Sequence, residues 1–120
     1  MTDVSATATV TIAGRFELAV RADSERCHWD IGICNEVVTS DCYHVQALRD
    51  IDIRTVVDVG AHIGSFSVLA ASLWPSAKIV AFEPDNENFA LLRENTARYG
   101  VVASVSLVGT GAGREAVHAL

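Results

Sequence analysis

The sequence predicts an α/β fold in which a partial parallel sheet of βαβαβ connectivity follows an N-terminal β-hairpin. Two short apolar runs, residues 55–59 and 78–82, each precede a segment with helical periodicity, and a third apolar run starts at residue 101. Strands that alternate with helices predict right-handed crossovers and therefore one parallel sheet. A Thr-rich run over residues 6–13 and an alternating run over 16–21, separated by a Gly-Arg turn, predict the hairpin.

The remainder of the first half gives weaker signals. Residues 22–40 carry no pattern that predicts an element. Residues 41–49 predict a short helix with Asp41 as its N-cap. We therefore expect two units: residues 1–50, with the hairpin and the short helix, and residues 51–120, with the parallel sheet.

Helix signals in the second half are clearer. A helix over residues 65–73 follows the first strand and stops before Pro75. Asp85 or Asn86 caps the next helix, and Gly100 stands where a left-handed C-terminal cap is expected. The apolar face of this helix is predicted to hold Phe89, Leu92, Thr96 and Tyr99.

The first and third strands of the sheet are indicated by different sequence patterns. The first strand is almost wholly β-branched, as expected of a parallel strand covered on both faces. Residues 101–108 alternate into the third strand, with Val105 and Leu107 on one side.

Composition and charge exclude several functional classes. The chain has 120 residues, a net charge of −6, and scattered Lys and Arg residues, so a nucleic-acid partner is not expected. No run approaches the roughly 20 apolar residues of a membrane helix, and no basic segment followed by an apolar block opens the sequence. We therefore expect a soluble, cytoplasmic protein without a membrane partner, whose three cysteines are reduced.

A glycine loop follows the first strand. Asp58 closes the strand, Gly60 allows a tight bend and a close ligand approach, and Gly64 lets the start of the helix pack near the strand. Exposed amides at the helix start favour electron-rich ligand groups. Glu83 ends the second strand, where a carboxylate can accept hydrogen bonds from both hydroxyls of a ribose.

The spacing within this loop separates it from other nucleotide loops. A dinucleotide fingerprint has glycines at its first, third and sixth positions, but His62 and Ser65 stand third and sixth from Gly60. The Gly-Lys-Ser/Thr of a phosphate-binding Walker loop is absent as well. The loop therefore suits a nucleoside without a diphosphate.

The two motifs resemble those of class I, Rossmann-like S-adenosylmethionine-dependent methyltransferases. Residues 56–67 (VVDVGAHIGSFS) resemble the first motif, and residues 80–85 (VAFEPD), continued by 88–95, resemble the second. Together they are similar to the FkbM-type family in particular, most strongly over residues 55–100. The resemblance implies that residues 51–120 form the N-terminal half of an S-adenosylmethionine-binding domain.

The resemblance also implies roles at matching positions. The loop over residues 60–64, with Asp58, would surround the methionine part of S-adenosyl-L-methionine, and Glu83 would hold its ribose. Residues 109–111 fall where the family recognises the adenine edge. The residues implied in cofactor binding are Asp58, Gly60, Ala61, His62, Gly64, Glu83, Pro84 and Thr110.

Three functions stay open from the sequence. The first is a methyltransferase acting on a hydroxyl of a small-molecule or sugar-like acceptor, with the acceptor class taken from the resemblance alone. The second is an aminopropyltransferase-like enzyme of the same fold, and the third is a non-catalytic adenosyl-binding module. Acceptor-binding and base residues of such enzymes are expected at or beyond a fourth strand, so the sequence identifies no catalytic residue.

A sheet of three strands predicts an uncovered edge. The strand at residues 55–59 is expected near the middle of a larger sheet, and without its other neighbour it presents an apolar edge. We expect a homo-oligomer or the N-terminal segment to cover that edge. A fragment of a longer enzyme is an equal alternative.

The other chemically active side chains have simpler interpretations. The loop position of His62 favours a backbone-shaping or cofactor-edge role over that of a base. The spacing of the cysteines and their neighbouring histidines matches no zinc motif, so we expect buried thiols and no metal. Trp29 and Trp74 are expected to be packing residues. The face of the second helix with Arg93, Glu94 and Arg98 is expected to be solvated.

Overall fold

The computed structural model describes residues 6–106. Within that range the strands are β1 (Thr7–Ile12), β2 (Phe16–Arg21), β3 (Thr55–Val59), β4 (Lys78–Phe82) and β5 (Val102–Ser104). The α-helices are α1 (Ser24–Cys34), α2 (Ser65–Leu73) and α3 (Asn86–Thr96). A π-helical turn (Asn35–Thr39) continues α1, and 3₁₀ turns lie at Val45–Leu48 and Ala97–Tyr99.

The parallel sheet has the predicted βαβαβ connectivity. Its strand order is β3-β4-β5, and both pairings are parallel. Thr55 pairs with Lys78 and Val59 with Phe82, so β3 and β4 end level with each other. The α/β fold class is therefore confirmed, and the carboxyl ends of the two strands that carry the motifs lie side by side.

The hairpin is also confirmed, as a separate antiparallel sheet. Thr7 pairs with Arg21 and Ile12 with Phe16. Strand β2 contacts α1 and α3 rather than the parallel sheet. Among residues 6–106, β3 pairs with β4 alone, so the hairpin does not cover the edge of β3.

One hydrophobic core joins the two halves of the chain. It combines Leu18 and Val20 of the hairpin with Leu69 of α2 and Ile79 of β4, all buried. Burial of such side chains stabilises the fold by about 1.5–3 kcal/mol each. The core therefore runs across the predicted boundary at residue 50.

Helices α2 and α3 cover one face of the parallel sheet. Ile79 and Ala81 point to that face and are 3% and 0% exposed. Val57, Val59 and Val102 alternate to the other face and are 49%, 60% and 53% exposed. The expectation that β3 is covered on both faces is thus wrong for the described part of the chain, because both helices lie on the same side.

Residues 22–40, for which the sequence predicted no element, form α1 and the π-helical turn. Asp23 caps α1 by accepting a hydrogen bond from the Arg26 amide at 3.0 Å. Asp30 and Cys34 are the buried residues of this helix, so its apolar periodicity is weak. An acidic cap followed by Glu25 in the first turn was the available signal.

The helix predicted over residues 41–49 is shorter than expected. A single 3₁₀ turn forms at Val45–Leu48, and Asp41 and His44 before it have positive φ angles of 50° and 57°. The Asp41 carboxylate still accepts hydrogen bonds from the amides of Val45, at 2.9 Å, and Gln46, at 3.3 Å. The prediction of Asp41 as the N-cap is therefore wrong, because His44 has that position, but the Asp41 side chain satisfies the first amides of a turn that is too short for an α-helix.

Element boundaries in the second half agree with prediction except at the end of α3 and in β5. Helix α3 ends at Thr96, and a 3₁₀ turn (Ala97–Tyr99) separates it from Gly100, which was predicted to cap the helix itself. Helix α2 and strand β4 have the predicted ends, Asp85 caps α3 by accepting from the Asn88 amide, and Gly100 is left-handed. Strand β5 covers only Val102–Ser104 of the predicted residues 101–108, of which 107 and 108 lie outside the described residues. Leu91 and Asn95 join Leu92 and Thr96 on the buried face of α3, whereas Phe89 is half-buried.

The two tryptophans differ in burial. Trp74 is buried and donates from Nε1 to the Leu48 carbonyl at 3.3 Å, so it packs as expected. Trp29 is 64% exposed and only meets the His28 ring, so the packing prediction is wrong there. The three positions Arg93, Glu94 and Arg98 are exposed, as predicted.

The cysteines are all free thiols. Cys34 is buried, Cys27 is half-buried and Cys42 is exposed, so the prediction of buried thiols holds fully for Cys34 alone. Burial raises the pKa of Cys34 to about 12, which leaves this thiol protonated and unreactive at neutral pH. Across residues 6–106, no helix has both the length and the apolar character needed to cross a bilayer.

Candidate functional site: the glycine loop and its neighbours

The glycine loop, residues 60–64, is fastened to the neighbouring strand. The amides of Gly60 and Ala61 both donate to the Phe82 carbonyl, each at 2.9 Å. Gly60 has a φ of 73°, and no heavy atom lies within 4 Å of the position that a Cβ would occupy there. The loop therefore bends as predicted, with open space beside the bare backbone at Gly60.

Glu83 connects the loop to the start of α3. Its carboxylate is 6% exposed, with Oε1 accepting from the His62 amide at 2.8 Å and Oε2 from the Asp85 amide at 3.0 Å. His62 has a φ of 55°, an uncommon angle for a residue with a side chain. The hydrogen bond that Glu83 accepts from the His62 amide thus stabilises the left-handed backbone conformation of His62.

Gly64 makes the close approach between the two sheet-covering helices. It has a φ of 102°, and a Cβ at this position would lie 3.1 Å from Leu92 Cδ1 and 3.2 Å from Thr96 Cγ2. The expected close packing is therefore present, but its partner is α3 and not a strand. Both the backbone angle and the crowding require glycine here.

Asp58 is a buried carboxylate at the end of β3. It is 8% exposed, and its Oδ2 accepts a hydrogen bond from Ser67 Oγ at 2.7 Å. Burial raises the pKa of Asp58, the Ser67 hydrogen bond opposes that rise, and the charge of Glu83 adds to it. Two mutually repelling carboxylates beside the loop favour a cationic ligand between or near them.

The His62 imidazole faces a buried ion pair. Its Nε2 lies 3.7 Å from Asp30 Oδ1, and Asp30 is held by Arg21 through Nε at 3.1 Å and Nη2 at 2.8 Å. Its Nδ1 is buried without a hydrogen-bond partner. Burial lowers the pKa of His62, with the charge of Asp30 opposing. Because Nδ1 is buried and Nε2 faces Asp30, the geometry favours a loop-shaping role over that of a base.

A cavity of about 420 Å³ adjoins the loop. Its near wall consists of the end of β3, residues 60–62 of the loop and the first turn of α2. Its far wall consists of four side chains from the first half of the chain: Ile33, Val37, Tyr43 and Val45. This volume lies within the range typical of small-molecule sites.

Asn95 on α3 is a structural residue of the site that the sequence did not identify. It accepts from the Ala19 amide at 2.7 Å and donates to the carbonyls of Ile63, at 2.8 Å, and Ala19, at 3.0 Å. Arg21 and Asp30 were missed as well. A polar residue inside an otherwise apolar helix face is the available signal for Asn95, whereas nothing local marks the Arg21–Asp30 pair.

The remaining predicted site residues divide into two groups. Backbone amides join Ala61 to the Phe82 carbonyl and His62 to the Glu83 carboxylate, and Pro84 lies exposed immediately after Glu83. Thr110, with residues 109 and 111, lies outside the described residues. Within residues 6–106, no group of three His, Cys, Asp or Glu side chains is arranged to hold a metal ion.

The residues of the site fit the chemistry of S-adenosyl-L-methionine. The first bond of α2 runs from the Val68 amide to the Gly64 carbonyl, so the amides before Val68 have no intrahelical acceptor. Amides of this kind can meet a carboxylate. The buried acids Asp58 and Glu83 would favour a sulfonium and an ammonium group, and a bare backbone at Gly60 leaves room for the ligand.

Comparison with known proteins gave relatives that are methyltransferases, while no family model matches the chain. Methyltransferase sdnD of Sordaria araneosa is 34% identical over 79 residues, which are 66% of this chain and 30% of that protein. The 31-O-demethyl-FK506 methyltransferase FkbM of Streptomyces tacrolimicus is 42% identical over 72 residues, 58% of this chain and 27% of that protein. The chain thus spans less than a third of the length of either relative.

Among solved structures, coclaurine N-methyltransferase bound to N-methylheliamine and SAH has a TM-score of 0.47 and 17% identity, covering 72% of this chain and 25% of that one. A likeness of this size carries no conclusion about this chain. The two sequence relatives, by contrast, are of the class that the motifs at residues 56–67 and 80–95 predicted. Over its matched residues, the chain is similar to FkbM-like methyltransferases.

Proposed function

We propose that the chain is the donor-binding segment of an S-adenosylmethionine-dependent methyltransferase that methylates a hydroxyl group of a small molecule. The observation that carries the proposal is the direct link between the glycine loop and Glu83 at 2.8 Å. The glycine loop is thus in direct contact with a buried carboxylate that follows the adjacent strand, and these are the two elements that would hold an adenosyl group in a fold of this kind.

Each residue has a distinct part in this proposal. The loop aligns the donor, and Asp58 offsets its positive charge. Oε1 of Glu83 keeps a lone pair for a ribose hydroxyl beyond its contact with the His62 amide, whereas Oε2 already accepts from the Asp85 amide and, at 3.5 Å, from Asn88 Nδ2. The bound cofactor supplies an activated methyl carbon. Held by these residues, it would supply that methyl group to the acceptor oxygen, with S-adenosylhomocysteine as the leaving group and solvent water taking the hydroxyl proton. Alignment and exclusion of water are the protein's contribution.

An oxygen acceptor is supported by one of the relatives. The FkbM relative is named for the O-methylation of a demethylated natural product. A sugar-like acceptor, a homo-oligomeric state and a cytoplasmic location stay predictions. Light scattering of the purified chain tests the assembly.

Calorimetric titration of the whole chain tests the proposal. S-adenosylmethionine and S-adenosylhomocysteine should both bind, and Glu83→Ala should weaken binding by about 1–3 kcal/mol through loss of charged hydrogen bonds. Glu94→Ala is the matched control, since it removes an exposed carboxylate on the outer face of α3. Because Glu83 also supports the backbone at His62, a thermal melt should accompany each titration.

The results separate the three functional classes. No heat with either ligand at high protein concentration would exclude the donor-binding proposal. Tighter binding of decarboxylated S-adenosylmethionine than of the intact cofactor would favour aminopropyl transfer. Binding of adenosine as tightly as either cofactor form would favour a nucleoside-binding module without a catalytic role.

A further inference from the structure

The cavity beside the glycine loop has two chemically different walls. On the near wall, Asp58, His62 and Ser65 offer polar groups. On the far wall, Ile33, Val37 and Val45 are aliphatic, and Tyr43 is aromatic. Charged side chains are thus confined to the loop side, and the far side offers hydrocarbon and one phenol.

The far wall depends on an irregular backbone. Helix α1 widens into the π-helical turn Asn35–Thr39, and left-handed residues at Asp41 and His44 then redirect the chain. Backbone irregularities of these kinds are unfavourable in isolation and are frequent at functional sites. Here they place Val37 and Val45 opposite the end of β3, across the cavity.

Tyr43 has the features of a ligand-contacting side chain rather than a core residue. Its side chain is 62% exposed, yet its ring meets the Phe66 ring edge to face, with centroids 5.7 Å apart and planes at 89°. Phe66 lies in the first turn of α2, on the near wall. The two rings therefore bridge the walls of the cavity and present an aromatic surface beside the loop.

We infer that residues 33–45 form the acceptor-side wall of the site, and that the acceptor presents its hydroxyl from an aromatic or hydrocarbon framework. The inference rests on the proposed function, because the loop side of the cavity is assigned to the methyl donor. A far wall without charged or amide groups gives a sugar few hydrogen-bond partners, whereas apolar and aromatic surface favours a ligand of the same kind. Part of acceptor recognition thus precedes β3 in the chain, contrary to the expectation that it follows a fourth strand.

The probe for this wall is 1-naphthol, with methyl β-glucoside as the sugar-like contrast. With the chain saturated in S-adenosylhomocysteine, nuclear Overhauser contacts should join naphthol protons to the rings of Tyr43 and Phe66, while the glucoside gives none. Glucoside contacts without naphthol contacts would overturn the acceptor class. Naphthol bound away from both rings would overturn the assignment of residues 33–45 as the acceptor-side wall.

Two variants test the wall by affinity. Ile33→Trp fills the cavity from a half-buried position and should weaken naphthol binding by about 10-fold or more, and Tyr43→Ala, at an exposed position, by about 3-fold or more. Val102→Trp is the control, because it adds the same side chain at an exposed position on β5. All three should bind S-adenosylhomocysteine with nearly unchanged affinity.

The outcomes distinguish this inference from the proposed function. Equal losses of naphthol and S-adenosylhomocysteine affinity in Ile33→Trp and Tyr43→Ala would place the donor in the cavity and overturn the inference. Unchanged naphthol affinity in both variants would also overturn it. Failure of the unmodified chain to bind S-adenosylhomocysteine would instead overturn the proposed function, and naphthol contacts measured without the nucleoside would still report on the wall.

Discussion

The two faces of the parallel sheet are built from similar residues but lie in different surroundings. Towards α2 and α3, Ile79 and Ala81 are buried. On the opposite face, Val57, Val59 and Val102 are about half exposed. Hydrophobicity therefore does not decide which face of this sheet is covered. Crossovers of one hand place successive helices on the same side, and that handedness decides it.

The functional site lies where these two faces meet at the end of β3. Asp58 and Val59 both line the cavity, but Asp58 belongs to the covered face, where it accepts a hydrogen bond from Ser67, and Val59, the next residue, belongs to the open face. The covered face supplies rigidity to the loop, and the open side supplies access. Substitutions made on one face at a time test this division between a rigid side and an accessible side.

The largest contrast should come from truncating one apolar side chain on each face. Ile79→Ala removes a side chain that is 3% exposed and should lower the free energy of unfolding by about 3 kcal/mol. Val102→Ala, on the open face at 53% exposure, should lower it by less than about 1 kcal/mol. Urea denaturation measures both, and equal losses would show that the open face is buried in solution.

Gly64→Ala should destabilise the contact between the two covering helices by about 2–3 kcal/mol, since the new Cβ adds crowding to an unfavourable φ. Gly100→Ala is the matched control, because its φ is 69° and nothing lies within 4 Å of the added Cβ. The difference between the urea midpoints of the two variants measures the effect of crowding separately from that of the backbone angle. A Gly100 variant as unstable as the Gly64 variant would show that the backbone angle alone accounts for the effect.

Asn95→Ala should lower the free energy of unfolding by about 2 kcal/mol, because it leaves the Ala19 amide and the Ile63 carbonyl without their buried partner. Hydrogen exchange at Ala19 should accelerate as well. Glu94→Ala, at the exposed neighbouring position, is the control and should change neither quantity. Unchanged exchange at Ala19 in Asn95→Ala would argue against α3 as the element that fastens the hairpin.

Asp58→Asn should have the smallest effect, and one that depends on pH. Burial raises the pKa of Asp58 in the folded protein above its unfolded value, so ionisation disfavours the folded state. That penalty is absent below the unfolded pKa, grows as pH rises from there through the folded pKa, and is complete above it. The variant should therefore melt higher than the unmodified chain at neutral pH, with the gap closing in acid. Thermal melts over an acidic-to-neutral series check this, and a gap that widens in acid would contradict it.

Local sequence determined the elements of the βαβαβ unit and the site at its centre. Pro75 follows the end of α2, Asp85 caps the start of α3, and Gly100 ends the 3₁₀ turn that continues α3, each through contacts within a few residues. The bend at Gly60 likewise follows from its own residue type. Such features are predictable because their physical causes lie next to them in the chain.

Only the tertiary structure decided the rest. The approach of His62 to Asp30 and the contact of Gly64 with α3 join residues far apart in sequence. The exposure of Val57 and Val59 depends on which face of the sheet the helices cover. The far wall of the cavity depends on a π-helical turn and left-handed residues that no local pattern marks. Such contacts depend on where the helices pack, and that is set by the burial of the whole apolar surface rather than by any single segment.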